Sequence, residues 1–270
     1  MMTALPETRS IELELEDGWL TVWFNQPERR NPLTDDVVND LETICASIRN
    51  DRSVRGVTFR GRGGFFCAGG DLKSFNAIAS GAREQAMRTS TRIGDVLADL
   101  NALPQVTVAM IEGAAMAGGL GLACCCDASI GMGNAKFAFS ETRIGITPAQ
   151  IARYVLQKCG YAVGRRLMLT AARFKGDEAA ALGVLDLAVD SVSALEAAER
   201  RIRADVLGCA PGAVAACKAL IVGLPQTPDD EKVGYAAENF SRCLQGDEGK
   251  EGVASFVEKR KPSWHVEVES

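Results

Sequence analysis

Two glycine-rich segments, each placed directly after a short apolar run, constrain the fold of this chain most. The apolar run 54–59 precedes the glycines of 61–70, and the run 106–111 precedes those of 113–121. Apolar runs of this kind, bounded by glycine, are typical of buried strands. Strand-loop-helix units in succession predict a parallel sheet covered by helices, because parallel strands need a long crossover connection. The pattern therefore predicts an α/β fold.

The residues before the first unit predict a hairpin and a helix. Residues 11–16 alternate between apolar and acidic side chains, and 20–24 are rich in residues that favour strands. Between them lies Asp17-Gly18, a dipeptide typical of tight hairpin turns. Thr34 is a candidate helix N-cap, because apolar residues follow it at helical spacing up to residue 48.

From residue 160 onward the chain is mostly helical in pattern. Predicted helices in this part cover 162–169, 176–182, 192–206, 211–222, 229–245 and 250–259, and a further helix is predicted earlier in the chain, at 82–100. After residue 160, only 186–189 is predicted to be a strand. We therefore expect an α/β core at 1–200 and a helical C-terminal segment at 201–270.

Composition argues against several classes of protein. Of 270 residues, 47% are hydrophobic and 24% are charged, as in ordinary globular proteins. No apolar run approaches the roughly 18 residues that a membrane span needs, and Glu7 and Arg9 stand where a signal peptide would have its apolar core. A net charge of −5 without a basic block argues against nucleic-acid binding. We expect a cytoplasmic protein that binds neither membranes nor nucleic acid.

The cysteines and the single histidine restrict the chemistry further. The nine cysteines include no C-x-x-C pair, and three of them are adjacent at 124–126, which suits neither a metal site nor a disulfide framework. We interpret them as small buried apolar residues. Because His265 is the only histidine, proton transfer in an enzyme of this sequence would fall to Glu, Asp, Tyr, Cys or Lys.

Three segments carry candidate chemistry. Each glycine-rich loop runs from a strand end into a predicted helix, where free backbone N–H groups could form an oxyanion hole; the alternative is that the glycines only permit tight turns. Neither loop matches a phosphate-binding motif. Glu141 lies among apolar residues, and burial would raise its pKa toward neutrality. The alternative for Glu141 is a structural ion pair with Arg143.

The order of these segments resembles the crotonase superfamily, the enoyl-CoA hydratase/isomerase family. The matching stretches are 25–33 (NQPERRNPL), 66–73 (FCAGGDLK), 118–121 (GGLG) leading to Cys126-Asp127, Glu141 with Gly145 and Pro148, and 255–261 (SFVEKRK). The resemblance implies a ClpP/crotonase-like spiral of ββα units, a homotrimer or dimer of trimers, and an acyl-CoA thioester substrate. It implies no separate cofactor, since CoA is part of the substrate, and no metal.

The resemblance also implies roles for particular residues. The backbone N–H groups of Gly70 and Gly118 would hold the thioester oxygen of an enolate, and Glu141 would transfer protons. The positions implied to bind CoA or the acyl group are Arg30, Cys67, Ala68, Asp71, Leu72, Lys73, Gly121, Arg143, Phe256 and Lys259. Among these, Arg30 would lie near the phosphates, and Phe256 and Lys259 would reach the CoA of a neighbouring subunit. As an alternative to binding the substrate, Asp71 would only shape the loop. The alternative for Arg30 and Lys259 is that they are solvated cations at the protein surface.

One departure from the family pattern leaves the reaction open. Typical hydratases of the family have two glutamates, and the first falls on Gly121 here, whereas the second is Glu141. A single base suits a Δ3-Δ2 enoyl-CoA isomerase. However, residues 118–127 and 140–149 are similar to the corresponding segments of bacterial hydratases of 3-methylglutaconyl-CoA and isohexenylglutaconyl-CoA, which act in the breakdown of leucine and acyclic terpenes. We therefore favour hydration. The free carboxylate of such a substrate would need a cation, for which Arg143 and Arg92 are candidates. The alternative for each of them is a salt bridge at the protein surface. A third reading is a crotonase-fold scaffold without activity.

Overall fold

The computed structural model describes residues 5–266, except for the side chains of Leu72, Lys73, Ser74 and Ala77. The strands in this part of the chain are β1 Ile11–Glu16, β2 Trp19–Phe24, β3 Gly56–Gly61, β4 Val106–Ile111, β5 Ala114–Met116, β6 Ala128–Met132, β7 Lys136–Ala138, β8 Arg173–Lys175 and β9 Leu187–Val189. The α-helices are α1 Asp35–Ile48, α2 Leu72–Ala79, α3 Arg83–Asn101, α4 Gly118–Cys125, α5 Ala152–Thr170, α6 Gly176–Ala181, α7 Val192–Leu207, α8 Pro211–Gly223, α9 Lys232–Gln245 and α10 Asp247–Glu258.

The strands form two sheets, and the larger one confirms the α/β prediction. Its order is β1-β2-β3-β4-β6-β9, with β1 and β2 antiparallel and every later pair parallel. The smaller sheet has the order β5-β7-β8, and β5 and β7 are parallel. Helices cross over between the parallel strands, as their connection requires.

Local sequence signals placed the first elements correctly. The hairpin turns at Asp17 and Gly18, both with positive φ (49° and 75°), as a primed turn requires. Thr34 caps α1, since its hydroxyl accepts a hydrogen bond from the Val37 N–H at 3.3 Å. The apolar positions of α1 face the core and are buried.

Two short strands, β5 and β8, contradict the sequence predictions. Residues 113–121, predicted to be one loop, contain β5 and the start of α4, and β8 is a strand after residue 160 in addition to β9. Strands of three residues are too short for their periodicity to be recognised, and they form because neighbouring strands satisfy their backbone groups. α5 also begins at Ala152, ten residues earlier than predicted, and is broken at Gly160, where φ is 76°.

The helical C-terminal part is joined to the sheet through α7 and α8. Leu195 of α7 packs with Val108 and Ile130 of the large sheet, so the predicted division at residue 200 falls inside a helix. Lys218 of α8 donates to the Asp127 carboxylate at 2.6 Å. None of the helices in residues 5–266 is long and apolar enough to cross a membrane alone; by length and composition, α7 passes only together with 211–226, at a bend of 103°.

Only some of the cysteines are the buried apolar residues that we expected. Cys45, Cys67 and the three adjacent cysteines of 124–126 are buried, whereas Cys209 and Cys217 are exposed and the other two are half-buried. The exposed ones lie at or after the end of α7, where the chain leaves the sheet.

Candidate active site

The two glycine-rich loops are paired with each other. The Cys67 N–H donates to the Ala114 carbonyl at 3.2 Å, and the Met116 N–H donates to the Cys67 carbonyl at 3.0 Å. Gly69 must be a glycine here, because its φ is 90° and a Cβ would lie 2.8 Å from the Met116 carbonyl oxygen. The loops therefore run side by side and in the same direction.

This pairing brings Gly70 and Gly118 together. Cys67 and Ala115 form a parallel bridge, and each glycine lies three residues after its member of the bridge. Leu33 contacts both positions, since it forms a bridge with Gly70 and its Cδ1 lies 3.2 Å from the point where a Gly118 Cβ would be. The predicted meeting of the two loops is thus a feature of the fold.

Both glycine amides have the character of anion-binding donors. Gly118 is the first residue of α4, and Gly70 lies just before α2. Neither N–H donates to a backbone carbonyl within residues 5–266, and both residues are partly exposed. Ala117 precedes Gly118 at φ 47° and ψ −123°, a strained conformation that its hydrogen bond to the Ala138 carbonyl at 2.8 Å helps to hold. Two free donors at helix N-termini can bind an oxyanion.

Glu141 lies at the same end of the small sheet. Met116 of β5 pairs with Ala138 of β7. Gly118 follows two residues after that pair on one strand, and Glu141 three residues after it on the other. Adjacent strands are about 4.8 Å apart, so the chain segments that carry Gly118 and Glu141 leave this strand pair at neighbouring points of the backbone. The Glu141 turn and the Gly118 amide therefore follow the same end of the small sheet.

The Glu141 side chain is buried, and one of its two carboxylate oxygens has no hydrogen-bond partner within residues 5–266. It is 8% exposed and begins the 3₁₀ helix Glu141–Ile144. Its Oε2 is buried and makes no hydrogen bond with the described part of the chain. Burial raises the pKa of this carboxyl above its ordinary value, and a hydrogen bond with its own backbone opposes the rise only in part. Such a group suits proton transfer near neutral pH.

Gly121 has no space for a side chain. An ideal Cβ at this position would lie 2.5 Å from the Cβ of Ile151 and closer still to its Cγ2. Ile151 is 4% exposed and packs in the main core. An isoleucine thus occupies the space into which a first glutamate would extend. Sequence reasoning missed Ile151, since an isoleucine before a helix carries no chemical signal.

The two arginines that we considered for a substrate carboxylate are both engaged. Arg143 donates from Nε and Nη2 to the Ala171 carbonyl at 3.2 and 3.1 Å. The ion pair between Glu141 and Arg143 that we considered as an alternative is therefore not formed. Arg92 donates to both carboxylate oxygens of Glu42 at 2.7 Å. Each guanidinium already has an acceptor within the protein.

The first loop is shaped by further contacts of the predicted residues. Asp71 accepts a hydrogen bond from Arg29 at 2.9 Å, in line with a loop-shaping role; Arg29 was not singled out from the sequence. Cys67 is buried, and burial raises the pKa of its thiol to about 12. Both backbone groups of Cys67 are already paired, whereas Ala68 is exposed and its N–H donates to the Arg30 carbonyl at 2.9 Å.

The remaining predicted site residues lie at the protein surface, or their side chains lie outside the part of the chain that the structure describes. The exposed guanidinium of Arg30 lies 5.6 Å from the centre of the Phe65 ring. Phe256 is 85% exposed on α10, and Lys259 ends that helix in a left-handed conformation. Leu72 and Lys73 begin α2, and their side chains lie outside the described residues.

Comparison with known proteins assigns the family. The model of the family "Enoyl-CoA hydratase/isomerase" matches residues 14–267. The structure of Pseudomonas aeruginosa AtuE is 40% identical with a TM-score of 0.92, covering 96% of this chain and 100% of AtuE. An enoyl-CoA hydratase/isomerase structure from Marinobacter aquaeolei is 35% identical with a TM-score of 0.90, covering 94% of this chain and 98% of that one. The human enoyl-CoA hydratase domain-containing protein 2, mitochondrial, is 33% identical, covering 92% of this chain and 86% of the relative. The chain belongs to the enoyl-CoA hydratase/isomerase family.

Proposed function

We propose that this protein is a hydratase that adds water across the 2,3 double bond of an enoyl-CoA thioester, with Glu141 as its only catalytic carboxylate. The observation that carries the proposal is the buried Glu141 carboxyl, whose Oε2 is unpaired within residues 5–266. Its turn follows the same end of the small sheet as Gly118, which the pairing of the two loops brings to Gly70. An enolate forms during hydration, and amide donors aimed at its oxygen stabilise it by about 3 kcal/mol each.

The proposed reaction uses one carboxylate twice. Glu141 removes a proton from a water molecule while the water oxygen bonds to C3, and the π electrons of the double bond move onto the thioester oxygen. The N–H groups of Gly70 and Gly118 donate to that oxygen. Glu141 then returns the proton to C2 and the carbonyl re-forms, so the net change is the addition of one water. No separate cofactor is needed, since CoA is part of the substrate.

For the acyl group we propose a branched 3-methylglutaconyl- or isohexenylglutaconyl-CoA. The support is the similarity of residues 118–127 and 140–149 to hydratases of those esters. Gly121 is consistent with it, because Ile151 leaves no space there for a second glutamate. Arg143 and Arg92 are engaged with Ala171 and Glu42, so the carboxylate of the substrate would have to displace one of these contacts or bind elsewhere.

A Δ3-Δ2 enoyl-CoA isomerase is the second candidate function. One carboxyl that removes a proton at C2 and returns it at C4 suffices for that reaction, and the blocked position 121 favours a one-base mechanism equally. The two candidates differ in whether oxygen from water enters the product.

We also propose that the protein is cytoplasmic and assembles as a homotrimer or dimer of trimers, with 201–270 as the assembling segment. The helices α9 and α10 leave large apolar side chains exposed, among them Val233, Phe240, Phe256 and Val257. Exposed apolar surface of this kind marks contact sites between proteins. Light scattering after size exclusion would give three or six copies, and a monomer would contradict this proposal.

Mass spectrometry of CoA esters incubated in H2-18O would test the function. The panel comprises crotonyl, 3-enoyl, 3-methylglutaconyl and isohexenylglutaconyl esters. We expect a product labelled with 18O from a branched glutaconyl ester, lost in Glu141→Gln and retained in Glu178→Gln, an exposed glutamate on α6. An unlabelled isomer formed only from the 3-enoyl ester would replace the hydratase by the isomerase. If no ester is converted, both candidate activities are contradicted, and the hypothesis of a crotonase-fold scaffold without activity remains.

A further inference from the structure

We propose that Arg143 is a positioning residue for Glu141: it holds the turn that carries Glu141 onto the C-terminal end of α5. In this role Arg143 binds a carbonyl of the protein and not a carboxylate of the substrate. The inference rests on the proposed function, in which the Glu141 carboxyl must keep a fixed place relative to the Gly70 and Gly118 amides.

Two consecutive side chains join the turn to α5. The Arg143 guanidinium donates two hydrogen bonds to the carbonyl of Ala171, the residue that ends α5 in a left-handed conformation at φ 46° and ψ 40°. The Thr142 hydroxyl donates to the Met168 carbonyl at 3.2 Å. Carbonyls at a helix C-terminus lack helical partners and carry partial negative charge, so a guanidinium is a favourable donor to them.

Within residues 5–266, no other side-chain hydrogen bond or salt bridge ties the Glu141–Ile144 turn to the rest of the protein. Glu141 is the only buried residue of the 3₁₀ helix Glu141–Ile144, and the apolar side chains that follow, Ile144 and Ile146, are 56% and 41% exposed. The Ile146 N–H donates to the Glu141 carbonyl at 3.2 Å, which closes the turn upon itself without anchoring it. A buried carboxylate with an unpaired oxygen cannot anchor the turn either, since burying its charge costs free energy.

The orientation of the guanidinium argues against a substrate ligand. A carboxylate binds best to the Nε and Nη2 edge of arginine, which offers two parallel donors. In Arg143 both of these atoms donate to Ala171. A substrate carboxylate on this edge would have to break both hydrogen bonds and would release the Glu141 turn at the same time.

Kinetics of substitutions at Arg143 test the proposal with two esters, one with and one without a free acyl carboxylate, such as glutaconyl-CoA and crotonyl-CoA. We expect Arg143→Ala to lower kcat on both esters by about 10- to 100-fold, since a small displacement of a catalytic group has effects of this size, with KM nearly unchanged. Arg143→Lys, which keeps one donor, should recover part of the loss. The matched control is Arg166→Ala, because Arg166 is an exposed arginine on α5, a little more than one turn before Ala171.

The pH profile gives a readout that loss of a merely structural contact would not move. Burial raises the pKa of Glu141, and a loosened turn admits water, so the acidic limb of kcat should move to lower pH in Arg143→Ala. A selective rise of KM for the carboxylated ester would overturn the proposal in favour of a substrate ligand. Unchanged kcat and pH profile in a folded Arg143→Ala protein would also overturn it.

A measurement without turnover separates this inference from the proposed function. The unfolding temperatures of Glu141→Gln and of the unchanged protein are measured at several pH values. The way in which their difference changes with pH reports the raised pKa of Glu141. We expect this difference to shrink in an Arg143→Ala background whether or not any ester is converted. If Arg143→Ala does not fold, Thr142→Val removes the second anchor more gently and should shift the difference in the same direction. A difference unaffected by either substitution would contradict the positioning role.

Discussion

The contact between Gly121 and Ile151 makes a quantitative prediction about stability. Gly121→Ala would place a methyl group 2.5 Å from the Ile151 Cβ, well inside the roughly 3.5–4.0 Å at which carbon atoms pack. Ile151 is 4% exposed and packs in the main core. Ile151→Ala removes the obstructing side chain. The two substitutions should therefore compensate each other.

The expected free energies follow from this geometry. Overpacking a core costs about 1–3 kcal/mol, and replacing glycine by alanine inside a helix returns about 1 kcal/mol, so Gly121→Ala alone should destabilise by up to about 2 kcal/mol. Ile151→Ala alone should cost about 2–5 kcal/mol, the range for isoleucine in a core. In the Ile151→Ala background, Gly121→Ala should be neutral or stabilising, which gives a coupling energy of about 2 kcal/mol.

Urea unfolding of the four proteins, at one protein concentration, measures this cycle. Gly234→Ala provides the control, because Gly234 lies in α9 with no atom within 4 Å of an added Cβ, and it should combine additively with Ile151→Ala. If Gly121→Ala costs the same in both backgrounds, within about 0.5 kcal/mol, Ile151 does not fill the space at position 121. Position 121 would then have room for a glutamate, and a site with a single carboxylate would have no structural basis.

Two further predictions concern charges. Because the folded-state pKa of Glu141 is raised, its contribution to stability is present below the unfolded-state pKa and is lost as pH rises through the folded-state value. Glu141→Gln should therefore unfold at a higher temperature than the unchanged protein at pH 8, and this advantage should disappear toward pH 4; a difference independent of pH would contradict the burial argument. Asp127→Ala should destabilise by about 2–3 kcal/mol in urea, because it removes the carboxylate partner of the largely buried Lys218 ammonium. Adding Lys218→Met should recover part of that loss, and no recovery would show that the ammonium is not what makes Asp127→Ala costly.

Much of the fold could be predicted because its signals are local. The Asp17-Gly18 turn, the Thr34 cap and the apolar face of α1 depend on residues within a few positions of each other, through backbone preferences and helical periodicity. The long strand β4 was predicted with both ends correct. The short strands of the small sheet were missed, since β7 and β8 exist only through pairing with neighbours.

The candidate site divides in the same way. Gly70, Gly118 and Glu141 could be recognised from the sequence, because glycines after strands and a carboxyl among apolar residues are local patterns. Their convergence depends on the bridge between Cys67 and Ala115, which are far apart in the chain. The acceptors of Arg143 and Arg92 also lie far along the chain, at Ala171 and Glu42, so the sequence left both guanidinium groups open to a substrate.

The strand-loop-helix alternation, the glycines of the two loops and the candidate acid Glu141 can thus be recognised without a structure. Three further facts become visible only in the folded chain: Glu141 is buried with its Oε2 unpaired within residues 5–266, Ile151 fills the space at Gly121, and Arg143 binds the end of α5. The difference lies in the range of the interactions. Backbone conformation is set by neighbours in the chain, whereas burial, close packing and hydrogen-bond partners are set by residues that only folding brings together.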